Sequence, residues 1–121
     1  MVYETSYKRL IAWQKARELA LHIYEETEDF PRGEVFGITS QLRRAVLSVI
    51  ANIAEGYERQ HRKEYVQFLY QAKGSLAEVE VFLDFAKDLH YLSEAQYESL
   101  SEKQRETGRL INALIKSLKS Y

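Results

Sequence analysis

The chain contains few residues that interrupt a helix. Pro31 is the only proline, and five glycines are spread over 121 residues. Because proline and glycine are the strongest breaks between secondary-structure elements, this scarcity favours a few long helices over many short strands. Apolar residues then recur at intervals of three and four, which is the spacing of one helix face. The sequence predicts an all-α protein that forms one domain over residues 1–121.

The apolar periodicity predicts four helices, over residues 6–27, 37–55, 62–90 and 94–117. Gly56 follows the second helix and suits the left-handed position that closes a helix. Ser93 and Gln96 have the spacing of a capping box at the start of the fourth helix. Short connections place consecutive helices side by side and antiparallel. The expected architecture is an antiparallel up-down-up-down four-helix bundle.

The second helix carries a polar stripe on an otherwise apolar circumference. At 100° per residue, the stripe residues fall within roughly 80° of one another. Apolar residues occupy both flanks, so a monomer would expose a large apolar patch. We therefore expect three residues on one flank to face another subunit: Leu47, Ala51 and Ala54. The stripe itself consists of Gln41, Arg44, Ser48, Asn52 and Glu55.

A matching polar stripe lies on the third helix, at Gln67, Gln71, Ser75 and Glu78. If the turn between the two helices centres near residues 59 and 60, antiparallel pairing places Ser48 near Gln71 and Asn52 near Gln67. It also predicts an ion pair between Arg44 and Glu78, because a partly buried guanidinium needs a carboxylate or carbonyls. Gly74 is expected to allow close backbone approach. Two roles remain open for the stripes: a seam that fixes helix pairing, or a ligand site.

The segments QLRRAVLSVIANIAEG (41–56) and FLYQAKGSLAEVE (68–80), preceded by LIAWQKARELALHIY (10–24), support a family resemblance. Together they resemble the four-helix bundle proteins encoded in intervening sequences of bacterial 23S ribosomal RNA genes. The resemblance extends over nearly the whole chain. It implies a four-helix bundle that assembles as a ring-shaped homopentamer, with no established biochemical role.

The same resemblance implies a relationship to the accessory variability protein of diversity-generating retroelements, a basic pentamer that binds nucleic acid and a reverse transcriptase. The present chain departs from that protein in charge, since it has 17 basic and 18 acidic residues. This balance weakens the expectation that the present chain binds nucleic acid as that protein does. The matching motif positions are Gln41, Arg44, Ala45, Ser48, Asn52, Glu55 and Gly56, with Gly74, Ser75 and Glu78.

Nucleic-acid binding is nevertheless an alternative hypothesis, because a local basic cluster can attract phosphate even when the net charge of the chain is close to zero. The cluster consists of Arg59, His61, Arg62 and Lys63, between the second and third helices. Ring assembly would repeat it around an axis and add up its attraction for phosphate. Against this, Glu58 and Glu64 adjoin the cluster, and a charged loop is usually only solvated.

The sequence offers little support for an enzyme. It has no cysteine, and its single Glu-x-x-His spacing, Glu58 to His61, lies in a predicted loop without the second copy that a di-metal bundle uses. No metal, cofactor or small-molecule substrate is expected. The polar start and the lack of a long apolar run predict a cytoplasmic protein without membrane contact. The primary hypothesis is a non-enzymatic, homo-oligomeric scaffold or interaction protein.

Overall fold

The computed structural model describes residues 6–120 and shows an all-α four-helix bundle. The helices are α1 (Ile11–Thr27), α2 (Ile38–Tyr57), α3 (Arg62–Asp88) and α4 (Glu94–Lys119). Short 3₁₀ turns lie at Tyr7–Arg9 and Arg32–Glu34. No strand occurs in the described part of the chain. The predicted fold class is therefore confirmed.

The first helix begins five residues later than the sequence predicts. Ser6 Oγ accepts a hydrogen bond from the Lys8 backbone N–H at 3.2 Å, which caps a 3₁₀ turn rather than an α-helix. Leu10 then has extended backbone angles, so α1 starts at Ile11.

Each helix packs against its two neighbours, in the cyclic order α1, α2, α3, α4. Tyr97 contacts Asp84 while Lys119 contacts Tyr70, so α4 runs antiparallel to α3. Lys103 contacts His22 while Glu106 contacts Lys15, so α4 also runs antiparallel to α1. The core is filled by aliphatic side chains from all four helices, which supply the main favourable free energy of folding. Its largest fully buried members include Leu19, Ile23, Leu42, Ile53, Leu69, Leu83, Leu100 and Ile111.

Two polar side chains of α4 lie in the core of the bundle, where each donates a hydrogen bond to a backbone carbonyl. Gln104 Nε2 donates to the Leu76 carbonyl at 3.2 Å, and Thr107 Oγ1 donates to the Lys103 carbonyl at 2.8 Å. Within residues 6–120, no buried side-chain nitrogen or oxygen lacks a partner. The buried face of α4 can therefore include glutamine and threonine without the cost of an unsatisfied polar group.

The capping box at the start of α4 is confirmed. Ser93 Oγ accepts from the Gln96 backbone N–H at 3.1 Å, and Gln96 Oε1 accepts from the Ser93 backbone N–H at 2.8 Å. At the preceding helix end, α3 stops at Asp88, two residues before the predicted position. His90 adopts a left-handed conformation with φ of 64°, and Tyr91 donates back to the Ala86 carbonyl. This closing motif normally uses glycine.

Gly56 does not end α2, contrary to the prediction. The helix continues to Tyr57, and no glycine in the described residues has a positive φ. A Cβ at Gly56 would lie 3.0 Å from both Phe68 Cβ and Tyr65 Cδ1, and 3.2 Å from the Tyr65 carbonyl oxygen. The absent side chain therefore lets α2 and α3 approach closely, which is a packing role that helix-end statistics cannot reveal.

Candidate interaction surface

A short polar seam joins α2 to α3 near the middle of each helix. Ser48 Oγ and Ser75 Oγ are 2.8 Å apart, and either hydroxyl can donate. Asn52 Nδ2 donates to Ser48 Oγ at 3.1 Å and to the Ser48 carbonyl at 2.9 Å. Ser75 is buried, and Ser48 and Asn52 are half-buried. Because these groups satisfy one another, the seam can be enclosed at little cost.

The register of this seam differs from the predicted one by a helical turn. Ser48 pairs with Ser75, whereas symmetry about residues 59 and 60 places it beside Gln71. Gly56 correspondingly packs on Tyr65 and Phe68. The first turn of α3 therefore extends past the end of α2, so the midpoint of the connecting loop does not mark the midpoint of the pairing.

The predicted ion pair between Arg44 and Glu78 does not form in this chain. Both residues are exposed, and no ion pair joins them in the described structure. A charge in water needs no partner to offset desolvation, which removes the reason for the pairing. Other stripe residues also face solvent: Gln41, Glu55, Gln67 and Gln71.

Gly74 does not mediate close approach within the chain, contrary to the prediction. A Cβ at Gly74 would have no neighbour within 4 Å, and the residue is exposed. Gly74 lies on the side of α3 that faces away from the core. The enclosed part of the predicted seam is thus limited to Ser48, Asn52 and Ser75.

Apolar side chains lie on the outer surfaces of both paired helices. On α2, Leu47 is 42% exposed, Ala51 is exposed and Ala54 is half-buried. We call these three residues the α2 patch. On α3, a second set follows at intervals of four residues, and helical periodicity did not predict it because α3 has one dominant apolar face. This α3 patch consists of Ala77, which is exposed, Val81, which is 61% exposed, and Phe85, which is 54% exposed.

Arg43, rather than Arg44, is the arginine of α2 that contacts another helix. Its Nε donates to Thr27 Oγ1 at 2.9 Å, and its Nη2 donates to the Tyr24 carbonyl at 3.2 Å. Its guanidinium carbon lies 4.4 Å from the centre of the Tyr24 ring. Arg43, on α2, therefore donates to a carbonyl oxygen near the C-terminal end of α1, where the last carbonyls lack partners within their own helix.

The predicted basic cluster between α2 and α3 is divided between two environments. Arg59 pairs with Glu55 and stacks on the Phe68 ring, with 4.7 Å from its guanidinium carbon to the ring centre. Arg62 and Lys63 instead line a groove between α3 and the end of α4. His61 is exposed at the start of α3. The structure does not gather the four side chains around one site.

A tyrosine pair closes the same end of the bundle. The Tyr57 and Tyr65 rings meet edge to face, with centres 6.3 Å apart. Burial raises the pKa of Tyr65 to about 12, the nearby Tyr57 hydroxyl acts in the same direction, and Arg9 opposes the shift. The two rings therefore pack against each other at this end of the α2/α3 interface.

No group of three or more histidine and acidic residues could hold a metal ion within residues 6–120. Glu58 and His61 both lie exposed in the connection between α2 and α3. None of the described helices combines the length and the apolarity needed to cross a bilayer.

Comparisons with known proteins agree with this architecture. A family model described as 23S rRNA-intervening sequence protein matches residues 8–113. A crystal structure from Bacteroides thetaiotaomicron VPI-5482, described as a protein with unknown function from the S23 ribosomal protein family, superposes with a TM-score of 0.79. The two sequences are 27% identical, and the match covers 88% of this chain and 99% of the other. No curated protein matches the sequence significantly.

Proposed function

Since the chain belongs to the 23S rRNA-intervening sequence protein family, we propose that it is a non-enzymatic, homo-oligomeric scaffold protein. The observation that supports this proposal most strongly is the pair of outer apolar patches on α2 and α3. Side chains such as Val81 and Phe85 face away from the core, where they contribute little to the fold of one chain. Contiguous exposed apolar surface of this kind marks a protein-protein interface.

Two different patches on one subunit favour a ring. The α2 patch of one copy can pack against the α3 patch of the next, which is a head-to-tail contact that closes when the rotation between copies permits. The family resemblance implies five copies. Gly74 lies on the outer surface of α3, and a Cβ placed there would have no neighbour within 4 Å, so this position leaves room for a helix of the adjacent copy.

Light scattering after size-exclusion chromatography tests the proposal at micromolar concentration. A ring of five copies has five times the 14.2 kDa mass of the chain. The substitutions Leu47→Glu and Val81→Glu place a charge in the proposed contact and should release monomers that keep their helical circular dichroism. Leu21→Glu is the matched control, because Leu21 is comparably exposed but lies on α1. A wild-type protein that stays monomeric would overturn the proposal.

A further inference from the structure

The hairpin of α3 and α4 has a strong separation of charge that the net charge of the chain conceals. Residues 62–76 and 108–120 contain six basic side chains and one acidic side chain, Glu64. Residues 77–88 and 94–107 contain three basic and eight acidic side chains. One end of the hairpin therefore carries a net charge of +5 and the other end −5. The basic side chains of the positive end are Arg62, Lys63, Lys73, Arg109, Lys116 and Lys119.

The acidic end does not cancel the basic end at physiological salt. The centres of the two charged regions are about 14 residues apart along α3, or roughly 20 Å at 1.5 Å per residue. The Debye length at physiological ionic strength is about 8 Å. An anion at the basic end therefore experiences the local positive charge, and the near-neutral composition of the whole chain does not describe that surface.

Five of these cations line two adjoining grooves between α3 and α4. One groove, of about 440 Å³, is lined by Tyr70, Lys73, Lys116 and Lys119, among others. The second, of about 480 Å³, is lined by Arg62, Lys63 and Lys119, with Val66, Gln67 and Leu118. Lys119 lines both grooves, so they adjoin each other at this residue. No carboxylate side chain lines either groove.

Helix stability explains only part of this arrangement. Lys116 and Lys119 are in the last turn of α4, where cations are stabilised by the helix dipole. Arg62 and Lys63 are in the first turn of α3, where the dipole disfavours cations, and Lys73 lies in the middle of the helix. In the described structure, no ion pair involves Lys63, Lys73, Lys116 or Lys119.

Tyr70 provides a hydrogen-bonding group at the centre of the groove. The residue is 41% exposed, and its hydroxyl oxygen accepts from Lys119 Nζ at 3.1 Å. The ammonium groups of Lys73 and Lys119 lie 5.8 Å and 5.6 Å from the ring centre. Since the hydroxyl oxygen already accepts a hydrogen bond from Lys119, its own O–H can donate to an anion in the groove.

We propose that this α3/α4 groove binds the sugar-phosphate backbone of single-stranded nucleic acid. Lysines spaced from Lys63 to Lys73 cover about 15 Å of the helix axis, which is long enough for several consecutive phosphates. Tyr70 adds a donor and an aromatic surface, the combination that positively charged grooves use for single strands. A groove between two packed helices, whose axes lie about 8–10 Å apart, is too narrow to admit a duplex. Binding of this kind does not require self-assembly.

Fluorescence anisotropy with labelled RNA and DNA strands of about 20 nucleotides tests the proposal, with titrations at about 50 and 200 mM salt. The variant Lys73→Gln/Lys116→Gln/Lys119→Gln should weaken binding at least about tenfold at the lower salt concentration. It should also reduce the salt slope by about 2, since each lost phosphate contact contributes about 0.7 for a single strand. The RNA and DNA arms separate a purely phosphate-based site from one that also reads the 2′-hydroxyl.

The matched control is Lys8→Gln/Arg17→Gln/Arg32→Gln, which removes the same charge from exposed cations on other parts of the chain. Its affinity and salt slope should stay within about twofold of wild type if the groove is the site. Tyr70→Phe should weaken binding by a smaller factor without changing the salt slope, because it removes a donor but no charge. Circular dichroism and thermal unfolding confirm that each variant is folded.

Three results would overturn the proposal. The first is an absence of salt-sensitive binding by the wild-type protein. The second is an equal loss of affinity in the groove variant and the charge-matched control, which would indicate only general electrostatic attraction. The third is a preference for duplexes or for vesicles containing anionic lipid over single strands, which would assign the basic surface to another class of partner.

Discussion

The hydroxyl oxygens of Ser48 and Ser75 lie 2.8 Å apart, and this hydrogen bond crosses the interface between α2 and α3. Asn52 supports it from the next turn of α2 by donating to Ser48 Oγ. Small side chains at both positions let the two helices approach, and the hydroxyls prevent that approach from burying unpaired polar groups. The contact thus couples helix spacing to helix register.

Removing either hydroxyl should reveal this coupling. Ser75→Ala is expected to lower the free energy of unfolding by about 1 kcal/mol, because Ser48 still accepts from Asn52. Ser48→Ala should cost somewhat more, since it also removes the acceptor for Asn52. A double-mutant cycle measured by urea denaturation should give a coupling of about 0.5–1.5 kcal/mol. Strict additivity would show that the two hydroxyls act independently.

Arg43 and Arg44 form a natural test of which arginine supports the fold. Arg43→Ala removes two hydrogen bonds to the end of α1 and the contact with the Tyr24 ring, so in urea denaturation it should cost about 1–3 kcal/mol. Arg43→Lys should recover only part of the loss, because an ammonium cannot reproduce the guanidinium fork. Arg44→Ala, at an exposed position, should change the free energy of unfolding by less than about 0.5 kcal/mol.

Gly56 and Gly74 provide a second matched pair, since both lie within helices. Gly56→Ala should destabilise the protein by about 1–3 kcal/mol, because the new Cβ meets Phe68, Tyr65 and a backbone oxygen of α3. Gly74→Ala should instead stabilise the isolated chain by up to about 1 kcal/mol, from helix propensity in open space. Thermal unfolding of both variants below the assembly concentration checks the signs. Equal effects would contradict the packing role of Gly56.

Tyr65 should make the protein sensitive to alkaline pH. The folded state raises the pKa of Tyr65 to about 12 from an ordinary value of about 10, so the unfolded chain loses this proton first. The associated stabilisation is fully present below about pH 10 and is lost as the pH rises through about 12. Urea denaturation at about pH 9 to 12 should show this decline. Tyr65→Phe should reduce this decline, whereas Tyr24→Phe should leave it unchanged.

The helix positions were largely predictable because apolar periodicity and capping are local properties. The capping box of Ser93 and Gln96 illustrates this, since its partners are three residues apart and its geometry follows from the backbone. The end of α2 was not predictable from Gly56. Glycine is common both at helix ends and at close helix contacts, and only the position of α3 distinguishes the two.

The candidate surfaces were less predictable than the fold. A helical wheel placed Leu47 and Ala51 correctly on an outer face, but it could not identify which polar residues the neighbouring helix encloses. The groove cations are separated by up to 57 positions in the chain, from Arg62 to Lys119, and all of them except Lys119 lie within the helix bounds that the sequence predicts. Their common alignment depends on how α4 packs against α3, which no local pattern contains.

The scarcity of proline and glycine and the recurrence of apolar residues every three or four positions were enough to predict an all-α four-helix bundle. Both are local properties of each segment of the chain. Three features emerged only when the helices were packed together: the one-turn offset of α2 and α3, the choice of Arg43 over Arg44, and the gathering of cations along the α3/α4 groove. These features arise from side chains that are distant in sequence, and their contacts depend on the packing of whole helices.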